Sequence, residues 1–313
     1  MAIMFNDSRW EMRDYPRLFA ASEAEALGIT RHYLFRTQRC PIILPGVRMD
    51  RETLESRRTP RWADDRWEWD SLRLRAARLK FDQVLADHAT AARIYGWPMP
   101  ANFRTDPRLS LCTADLALRV RLPNVILRRS AQISNARWLD LPVLAPADVF
   151  ISIAPDLTIR DLVKVGDAAV GWWHGPPQLT VDMLSNRVGQ RKRLRARRRL
   201  CHAIDLIRSG VDSPTETDLR LWIVSVGLPE PTVHPKISSD LGRGAIEPDL
   251  GYENARLALE YEGDHHRSSP TQWARDIERD EAMRDAGWTV FKVTRRTDYR
   301  LLQTKIRRHL GLT

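Results

Sequence analysis

Acidic side chains recur at alternate positions in one stretch, Ile246 to His266, which reads IEPDLGYENARLALEYEGDHH. This alternation predicts a β-hairpin whose turn is formed by residues 253–254. Successive side chains of a strand point to opposite faces of the sheet. Asp249, Glu260 and Glu262 are therefore predicted to share one face, backed by an apolar face.

Clustered carboxylates repel one another, and such a cluster persists if it is solvated, protonated or bound to a metal ion. With a two-residue turn, Asp249 lies opposite Ala258 and diagonal to Glu260, within reach of one shared cation. Magnesium prefers oxygen ligands, commonly one or two carboxylates and waters. Two interpretations follow: a solvated outer face of an amphipathic hairpin, or a metal site. The loop Asp264-His265-His266 follows Gly263 directly, and carboxylates beside a histidine-bearing loop are typical of a hydrolytic site.

Three short motifs carry a family resemblance: Pro248-Asp249, Glu260-Tyr261-Glu262-Gly263 and His265-His266. They resemble the PD-(D/E)xK nuclease superfamily, in its branch similar to the Vsr mismatch-repair endonucleases. The resemblance covers Ser213 to Leu310 and extends to actinobacterial uncharacterised proteins with the domain of unknown function 559.

The resemblance implies a restriction-endonuclease-like fold, with Asp249 and Glu260 as ligands of Mg²⁺ or Mn²⁺. It also implies that His266 or His265 assists the attacking water or the scissile phosphate. Glu262 stands where the superfamily's general motif has lysine, and an acid there does not stabilise a developing phosphorane charge.

Two residues outside the hairpin are further candidates. Glu216 belongs to the capping box Ser213-Pro214-Thr215-Glu216, so one interpretation is that it caps a helix. The superfamily often places an acid of its first helix near the metal, which gives Glu216 a second, catalytic interpretation. Lys292, in the predicted strand 289–293, is the candidate for a displaced catalytic lysine.

The composition favours a polyanionic partner. The formal net charge is +10, and arginine, whose guanidinium group matches phosphate bidentately, far outnumbers lysine. The alternative is that the charge simply keeps the protein in solution. Cys40, Cys112 and Cys201 are far apart and form no disulfide framework or metal-ligand spacing, which indicates a reducing cytoplasm. We expect no signal peptide and no membrane span.

The N-terminal residues predict a winged helix-turn-helix. Two short helices, 23–27 and 31–36, precede a strand, a turn and a strand at 41–47. The stretch AEALGITRHYL resembles the winged-helix segment of abortive-infection-type antitoxins, and this implies that Arg31 and Arg36 contact DNA. The alternative is a small helical cap on the rest of the protein.

The middle of the chain shows no independent chemistry and predicts a scaffold or a DNA-positioning region. The expected elements are a linker or exposed helix at 51–66, a helix at 71–95, strands at 125–127 and 143–153, and an amphipathic helix at 156–170.

A basic helix is predicted from Asn186 to Ile207, ended by Gly210. Its cations, with no acid among them, are Arg187, Arg191, Lys192, Arg193, Arg195, Arg197, Arg198 and Arg199. Like charges crowded on a helix repel one another unless an anion compensates. The interpretation is contact with a nucleic-acid backbone, and the alternative is a solvated linking helix.

Together these patterns predict four segments: 1–50 winged-helix-like, 51–182 mixed α/β, 183–212 Arg-rich helix and 213–313 nuclease-like. The expected fold class is α/β, with a C-terminal mixed sheet flanked by helices and a mainly helical N-terminal region. The expected function is a cytoplasmic, metal-dependent endonuclease or nickase of double-stranded DNA. The alternative is a non-catalytic DNA-binding regulator of toxin–antitoxin type with a degenerate nuclease fold. RNA as the substrate is also compatible with the charge.

Overall fold

The computed structural model of the chain describes residues 9–35, 38–238, 245–263 and 270–312. The chain forms two compact units. The first comprises Met1–Val165 and Gln178–Asp205, and the second comprises Gly166–Pro177 and Leu206–Thr313. Both units combine helices with sheets, so the protein is of the α/β class.

The first unit begins with a three-stranded antiparallel sheet. Its strands are β1 (Trp10–Ala20), β2 (Ile42–Leu44) and β3 (Val47–Pro60), in the order β1-β3-β2. Trp10 lies opposite Pro60 and Ala20 lies opposite Val47, so β1 and β3 pair along the whole of β1. A 3₁₀ turn (Ala21–Glu23) and a short helix, α1 (Arg31–Phe35), connect β1 to β2.

The expectation of a mainly helical N-terminal region is wrong for the residues that the structure describes. The predicted helix 23–27 is a 3₁₀ turn followed by hydrogen-bonded turns, and residues 51–60 belong to β3. Strand β3 is charged on both faces, so it lacks the apolar alternation that marks a strand in sequence. Its backbone bonds to β1, and the paired residues are 27 positions apart at Ala20–Val47 and 50 apart at Trp10–Pro60. Arg17 lies 3.8 Å from Glu55 across the pair.

A five-stranded mixed sheet forms the rest of the first unit. The elements that follow β3 in chain order are α2 (Asp65–Lys80), β4 (Leu85–Ala86), α3 (His88–Ile94), α4 (Ala101–Arg104), β5 (Leu109–Thr113), β6 (Val125–Arg129), β7 (Asn135–Trp138), β8 (Leu141–Leu144), α5 (Pro146–Ile153), α6 (Ile159–Val170), α7 (Val181–Gln190) and α8 (Arg197–Leu206). The end of α6, from Gly166, and the last residue of α8 belong to the second unit. The strand order is β6-β5-β4-β8-β7. The pairs β5–β6 and β4–β8 are parallel, and the other two are antiparallel.

Three predictions for this part are corrected and two are confirmed. The predicted helix 71–95 is interrupted by the buried strand β4, which is paired on both sides. Residues 146–153 are helix rather than strand, because Pro146 occupies a first-turn position where its missing N–H is not needed. The basic helix breaks between α7 and α8, where Ala196 has a φ of 57°. A strand at 125–127 and the amphipathic helix near 156–170 are confirmed as β6 and α6.

The second unit is built on a four-stranded mixed sheet. The elements in chain order are α9 (Pro214–Ser225), β9 (Thr232–Val233), β10 (Ile237–Ser238), β11 (Ala245–Ile246), β12 (Leu250–Tyr252), β13 (Leu257–Tyr261), α10 (Pro270–Asp285), β14 (Thr289–Val293) and α11 (Tyr299–His309). The strand order is β14-β13-β12-β9, and only β13–β14 is parallel. Strands β10 and β11 form a separate antiparallel pair.

The central strand β13 places apolar side chains on both faces of this sheet. Leu257 and Leu259 pack in one core with residues of α9 and α11, including Leu219 and Ile306. Ala258, on the other face, packs with Met283 of α10. Helices therefore cover both faces, and Glu260, the acidic residue of β13, lies towards the strand end.

The predicted hairpin forms, but its register differs from the expected one by two residues. Residues Glu253–Ala255 make a 3₁₀ turn that Arg256 closes in the left-handed region, with a φ of 48°. Leu250 consequently lies opposite Leu259, and Asp249 comes level with Glu260 rather than diagonal to it. A shift of two residues preserves the faces, because side-chain direction alternates with a period of two.

Candidate metal centre

Glu216 is fixed by the start of α9. Ser213 caps the helix, accepting a hydrogen bond from the Glu216 amide at 3.2 Å, and its hydroxyl donates to Glu216 Oε1 at 2.7 Å. The Asp212 amide donates to Glu216 Oε2 at 3.0 Å. The predicted cap by Ser213 is thus confirmed, but the return bond of the capping box goes to the Asp212 amide rather than to that of Ser213. The Glu216 carboxylate held in this way is only 6 % exposed.

A buried ion pair anchors the same helix. Arg220 is fully buried and lies 3.0 Å from Asp167 Oδ2 and 2.8 Å from Glu230 Oε1. Arg220 also donates to the Leu206 carbonyl, and Thr217 donates to Asp167 at 2.8 Å. These bonds tie the first turns of α9 to their surroundings, which fixes the position from which Glu216 projects.

His234, directly after β9, is a site residue that the sequence analysis missed. Its backbone amide donates to the Asp249 carbonyl at 3.2 Å, and its φ is 44°. Its Nε2 lies 3.3 Å from Glu216 Oε2, and its Nδ1 lies 3.8 Å from Asp212 Oδ2. Hydrogen bonding to Glu216 raises the pKa of His234, against the opposing effect of burial.

Asp249 lies immediately before β12, at the end of the sheet. Its Oδ2 accepts a hydrogen bond from the Tyr261 amide of β13 at 2.7 Å, which extends the ladder between the two strands. Burial raises the pKa of Asp249, and the nearby charge of Glu216 adds to that rise. A raised pKa means that the surroundings disfavour the ionised form of the carboxyl group. A positive charge beside the group would therefore be stabilising.

Glu216, His234 and Asp249 can together hold one divalent ion. Their ligand atoms all lie within 4.8 Å of one another. Ligand atoms around one ion are about 3–3.4 Å apart for metal bonds of the usual length, and the His234–Glu216 separation already has that value. The residues fit a metal because imidazole and carboxylate ligands suit Mn²⁺, Fe²⁺ or Zn²⁺, while carboxylates alone suit Mg²⁺.

Glu260, the other predicted metal ligand, faces a cation. Its Oε1 lies 3.0 Å from Arg279 Nη1, but no donor hydrogen is aligned with it, so the contact is an ion pair and not a hydrogen bond. Arg279 also donates to the Glu247 carbonyl at 2.5 Å. Burial raises the pKa of Glu260, while Arg279 lowers it. Glu260 therefore neighbours the three-residue cluster without belonging to it.

Lys292 forms a separate charged cluster with two acids. Its Nζ lies 2.8 Å from Glu262 Oε1 and 2.6 Å from Asp280 Oδ2. Strand pairing brings Lys292 of β14 beside Glu260 of β13. A lysine that replaces the motif lysine from another strand would need such a position. Burial lowers the pKa of Lys292, but the hydrogen bonds that its ammonium group donates to both acids outweigh this effect, and the net pKa is raised. The predicted residues His265 and His266 lie outside the described residues.

The structure divides the predicted basic surface into two groups. Arg187 and Arg191 bind Asp148 at 2.7 Å each, and Arg197 and Arg199 donate to backbone carbonyls. These four arginines hold the first unit together. The exposed cations are Lys192, Arg193, Arg195 and Arg198, together with Arg31 of α1. Arg36 lies outside the described residues.

The comparisons with known proteins give distant relatives and no function. The chain is 26% identical over 240 residues to the uncharacterized protein MT2308 of Mycobacterium tuberculosis strain CDC 1551, covering 73% of this chain and 84% of that protein. The uncharacterized protein Rv2248 of strain H37Rv is similar to the same extent. No family profile and no solved structure matches. Among the described residues, no helix is long and apolar enough to cross a membrane.

Proposed function

We propose that this protein is a metal-dependent phosphodiester hydrolase that cuts or nicks double-stranded DNA. The observation that carries the proposal is the convergence of Glu216, His234 and Asp249 from three different elements. Burial disfavours the ionised form of Asp249, and a bound cation would relieve that penalty. Such a site is more consistent with metal binding than with a solvated face.

The order of elements in the second unit supports the same proposal. Helix α9, the antiparallel strands β9, β12 and β13, helix α10, the parallel strand β14 and helix α11 follow one another. This is the helix, strands, helix, strand, helix order that the PD-(D/E)xK resemblance implies. The acids lie at one end of the strands, as a hydrolytic site on such a sheet requires.

Each residue has a chemical task in the proposed reaction. The metal, when bound, lowers the pKa of a coordinated water and neutralises charge on the phosphate. Asp249, Glu216 and His234 would hold it, and the Tyr261 amide keeps Asp249 oriented. Glu260 presents a second carboxylate level with Asp249, restrained by Arg279.

The histidine in the ligand set makes Mn²⁺ a better cofactor than Mg²⁺ for this site. Magnesium is bound mainly through oxygen ligands and waters, whereas an imidazole nitrogen favours the later first-row ions. At equal concentration we expect Mn²⁺ to support the faster reaction.

The test is nicking of supercoiled plasmid by the full chain with Mn²⁺, with Mg²⁺ and with EDTA. We expect metal-dependent nicking that falls by about 10²–10³-fold or more in Asp249→Asn, the range seen when an electrostatic stabiliser is removed. The matched control is Glu253→Gln, which makes a similar change at an exposed turn of the same hairpin. Equal nicking by Asp249→Asn and wild type would refute the proposal.

The exposed cations favour one second candidate, a DNA-binding regulator that does not cleave. Lys192, Arg193, Arg195 and Arg198 are free to contact phosphates whether or not the metal centre is active. This candidate predicts a salt-sensitive gel shift that persists in EDTA and in Asp249→Asn, with no nicking under any metal. Comparing matched DNA and RNA duplexes in the same assay shows which of the two nucleic acids the protein binds.

A further inference from the structure

A second site lies in the first unit. A cleft of about 520 Å³ opens over one face of the five-stranded sheet. Its floor is formed by Ser110 and Cys112 of β5 and by their cross-strand neighbours Ile126 and Arg128 of β6. Helix α5 and the segment between α7 and α8 also line it. The volume falls within the range of roughly 300–1,000 Å³ typical of small-molecule sites.

Buried acids hold two guanidinium groups in this cleft. Arg128 Nε lies 3.0 Å from Asp87 Oδ2, and Arg191 Nη2 lies 2.7 Å from Asp148 Oδ1. Asp87 and Asp148 are 3% and 4% exposed. Arg191 Nε is buried without a hydrogen-bond partner. A guanidinium fixed in this way loses little freedom when it binds an anion.

One more arginine of the cleft, Arg195, has no acidic partner. Its side chain is exposed and forms no ion pair or hydrogen bond with the described residues. Arg129 also borders the cleft, but it follows Arg128 in β6, and successive side chains of a strand point to opposite faces. The lining has five arginines (Arg108, Arg128, Arg129, Arg191 and Arg195) and four aspartates (Asp87, Asp106, Asp148 and Asp156). Asp148 is shared with Arg187 as well. The cleft therefore carries an excess of positive charge that favours an anion.

Apolar side chains complete the lining beside these cations. Ile126, Ile151, Pro155 and Leu194 offer a surface on which a flat, apolar ring can pack. A ligand that satisfies both parts combines a phosphate with an aromatic ring system. We propose that this cleft binds a phosphorylated nucleoside, either a free nucleotide or the 5′-terminal nucleotide of a nucleic-acid strand.

The cleft is a binding site and not a second catalytic centre. Cys112 is 2% exposed, and burial raises the pKa of its thiol to about 12, so it is not a nucleophile at neutral pH. His88 is held by Asp156, whose Oδ2 lies 3.0 Å from His88 Nε2, and burial lowers the pKa of this histidine. These groups shape the cleft while the arginines recognise the phosphate.

Calorimetric titration of the full chain in EDTA tests the proposal, because binding here requires no metal. The ligands are ADP, adenosine, a 5′-phosphorylated dinucleotide and the same dinucleotide with a 5′-hydroxyl. Arg195→Gln removes one unpaired cation from the lining. Arg193→Gln is the matched control, since Arg193 is exposed on the same segment as Arg195 but does not line the cleft.

We expect saturable binding of a phosphorylated ligand that Arg195→Gln weakens by about 10- to 100-fold, as for the loss of one charge-assisted contact. The control variant should bind like wild type, and the unphosphorylated ligands should bind at least tenfold more weakly. Tighter binding of ADP identifies a free nucleotide, and tighter binding of the dinucleotide identifies a strand end. Absence of binding, or equal weakening by Arg193→Gln, would overturn the proposal. A failure in the nicking assay leaves this result unaffected.

Discussion

The metal centre makes a quantitative prediction for His234→Asn. Asparagine is suited to this position because it tolerates the left-handed backbone that His234 adopts at a φ of 44°, so the change removes the imidazole without adding strain. The cap of α9 and the hydrogen bond from Tyr261 to Asp249 do not involve the imidazole. Two of the three ligands therefore stay in place.

The expected effect follows from linkage between metal binding and folding. A metal at 100 times its dissociation constant stabilises the folded protein by about 2.7 kcal/mol. This corresponds to a rise in Tm of roughly 5–10 °C. Loss of an outer-shell partner alone weakens metal binding by about 10–100-fold, so we take about 100-fold for a lost ligand. At the same metal concentration, the metal would then be present at the Kd of the variant, and the stabilisation would be about 0.4 kcal/mol.

The assay is thermal unfolding of wild type, His234→Asn and Glu253→Gln with and without Mn²⁺, after EDTA treatment. Each protein is compared with its own metal-free form, so a change in baseline stability does not affect the result. Glu253→Gln should keep the full Mn²⁺ shift. A full shift in His234→Asn would refute the assignment of His234 as a ligand.

The same experiment has a pH dependence with a defined sign. Folding raises the pKa of His234, so in the metal-free protein the imidazolium contributes stability below its unfolded pKa. That contribution is lost as pH rises through the folded pKa, and metal binding requires the deprotonated imidazole. The Mn²⁺ shift of wild type should therefore grow as pH rises through the folded pKa of His234. In His234→Asn this step should be missing.

Three further substitutions test the surroundings of the site. Arg279→Met leaves Glu260 buried beside no cation, and because Arg279 is 39% exposed we expect a loss of only about 1 kcal/mol at pH 7 in urea unfolding. Glu260 has a raised folded pKa, so this loss should diminish as pH falls through it. Arg220→Met leaves Asp167 buried without its cation, and we expect a loss of about 3–5 kcal/mol by the same method. Arg193→Gln should reduce the slope of log binding constant against log salt for duplex DNA by about 1.

One control substitution and two contrary outcomes test these predictions. Arg300→Met, at an exposed position of α11, should leave urea unfolding within about 0.5 kcal/mol of wild type. A loss in Arg279→Met that is independent of pH would show that its ion pair with Glu260 is not the cause. An unchanged salt slope in Arg193→Gln would show that DNA does not contact this surface.

The sequence contained the acids of the site but not their geometry. Alternation placed Asp249 and Glu260 on one face, and the capping box located Glu216, because both patterns depend on neighbours within a few residues. The register did not follow, since Arg256 adopts the left-handed conformation in a turn that is longer than two residues. His234 carried no motif, and its position depends on the pairing of β9 with β12.

The errors in the first unit have the same origin. Strand β3 pairs with residues 27 to 50 positions away in β1, and β4 is a strand because it is buried between two others. Local composition instead indicated a linker or exposed helix at β3 and a continuous helix through β4. Non-local backbone pairing therefore overrode local propensity, as it does most often in short or charged strands.

The arginine-rich segment shows why a charge count does not define a surface. Arg187 and Arg199 are as cationic as Arg193 and Arg195, yet Arg187 binds the buried Asp148 and Arg199 donates to three carbonyls. Substituting Arg187 or Arg199 should reduce the stability of the fold more than nucleic-acid binding, because the groups that they bind would be left buried without a partner. Binding tests are informative only for the exposed cations, and of those only Arg195 lines the cleft. The pair Arg193 and Arg195 therefore separates backbone contact from recognition of a terminal phosphate within one short segment.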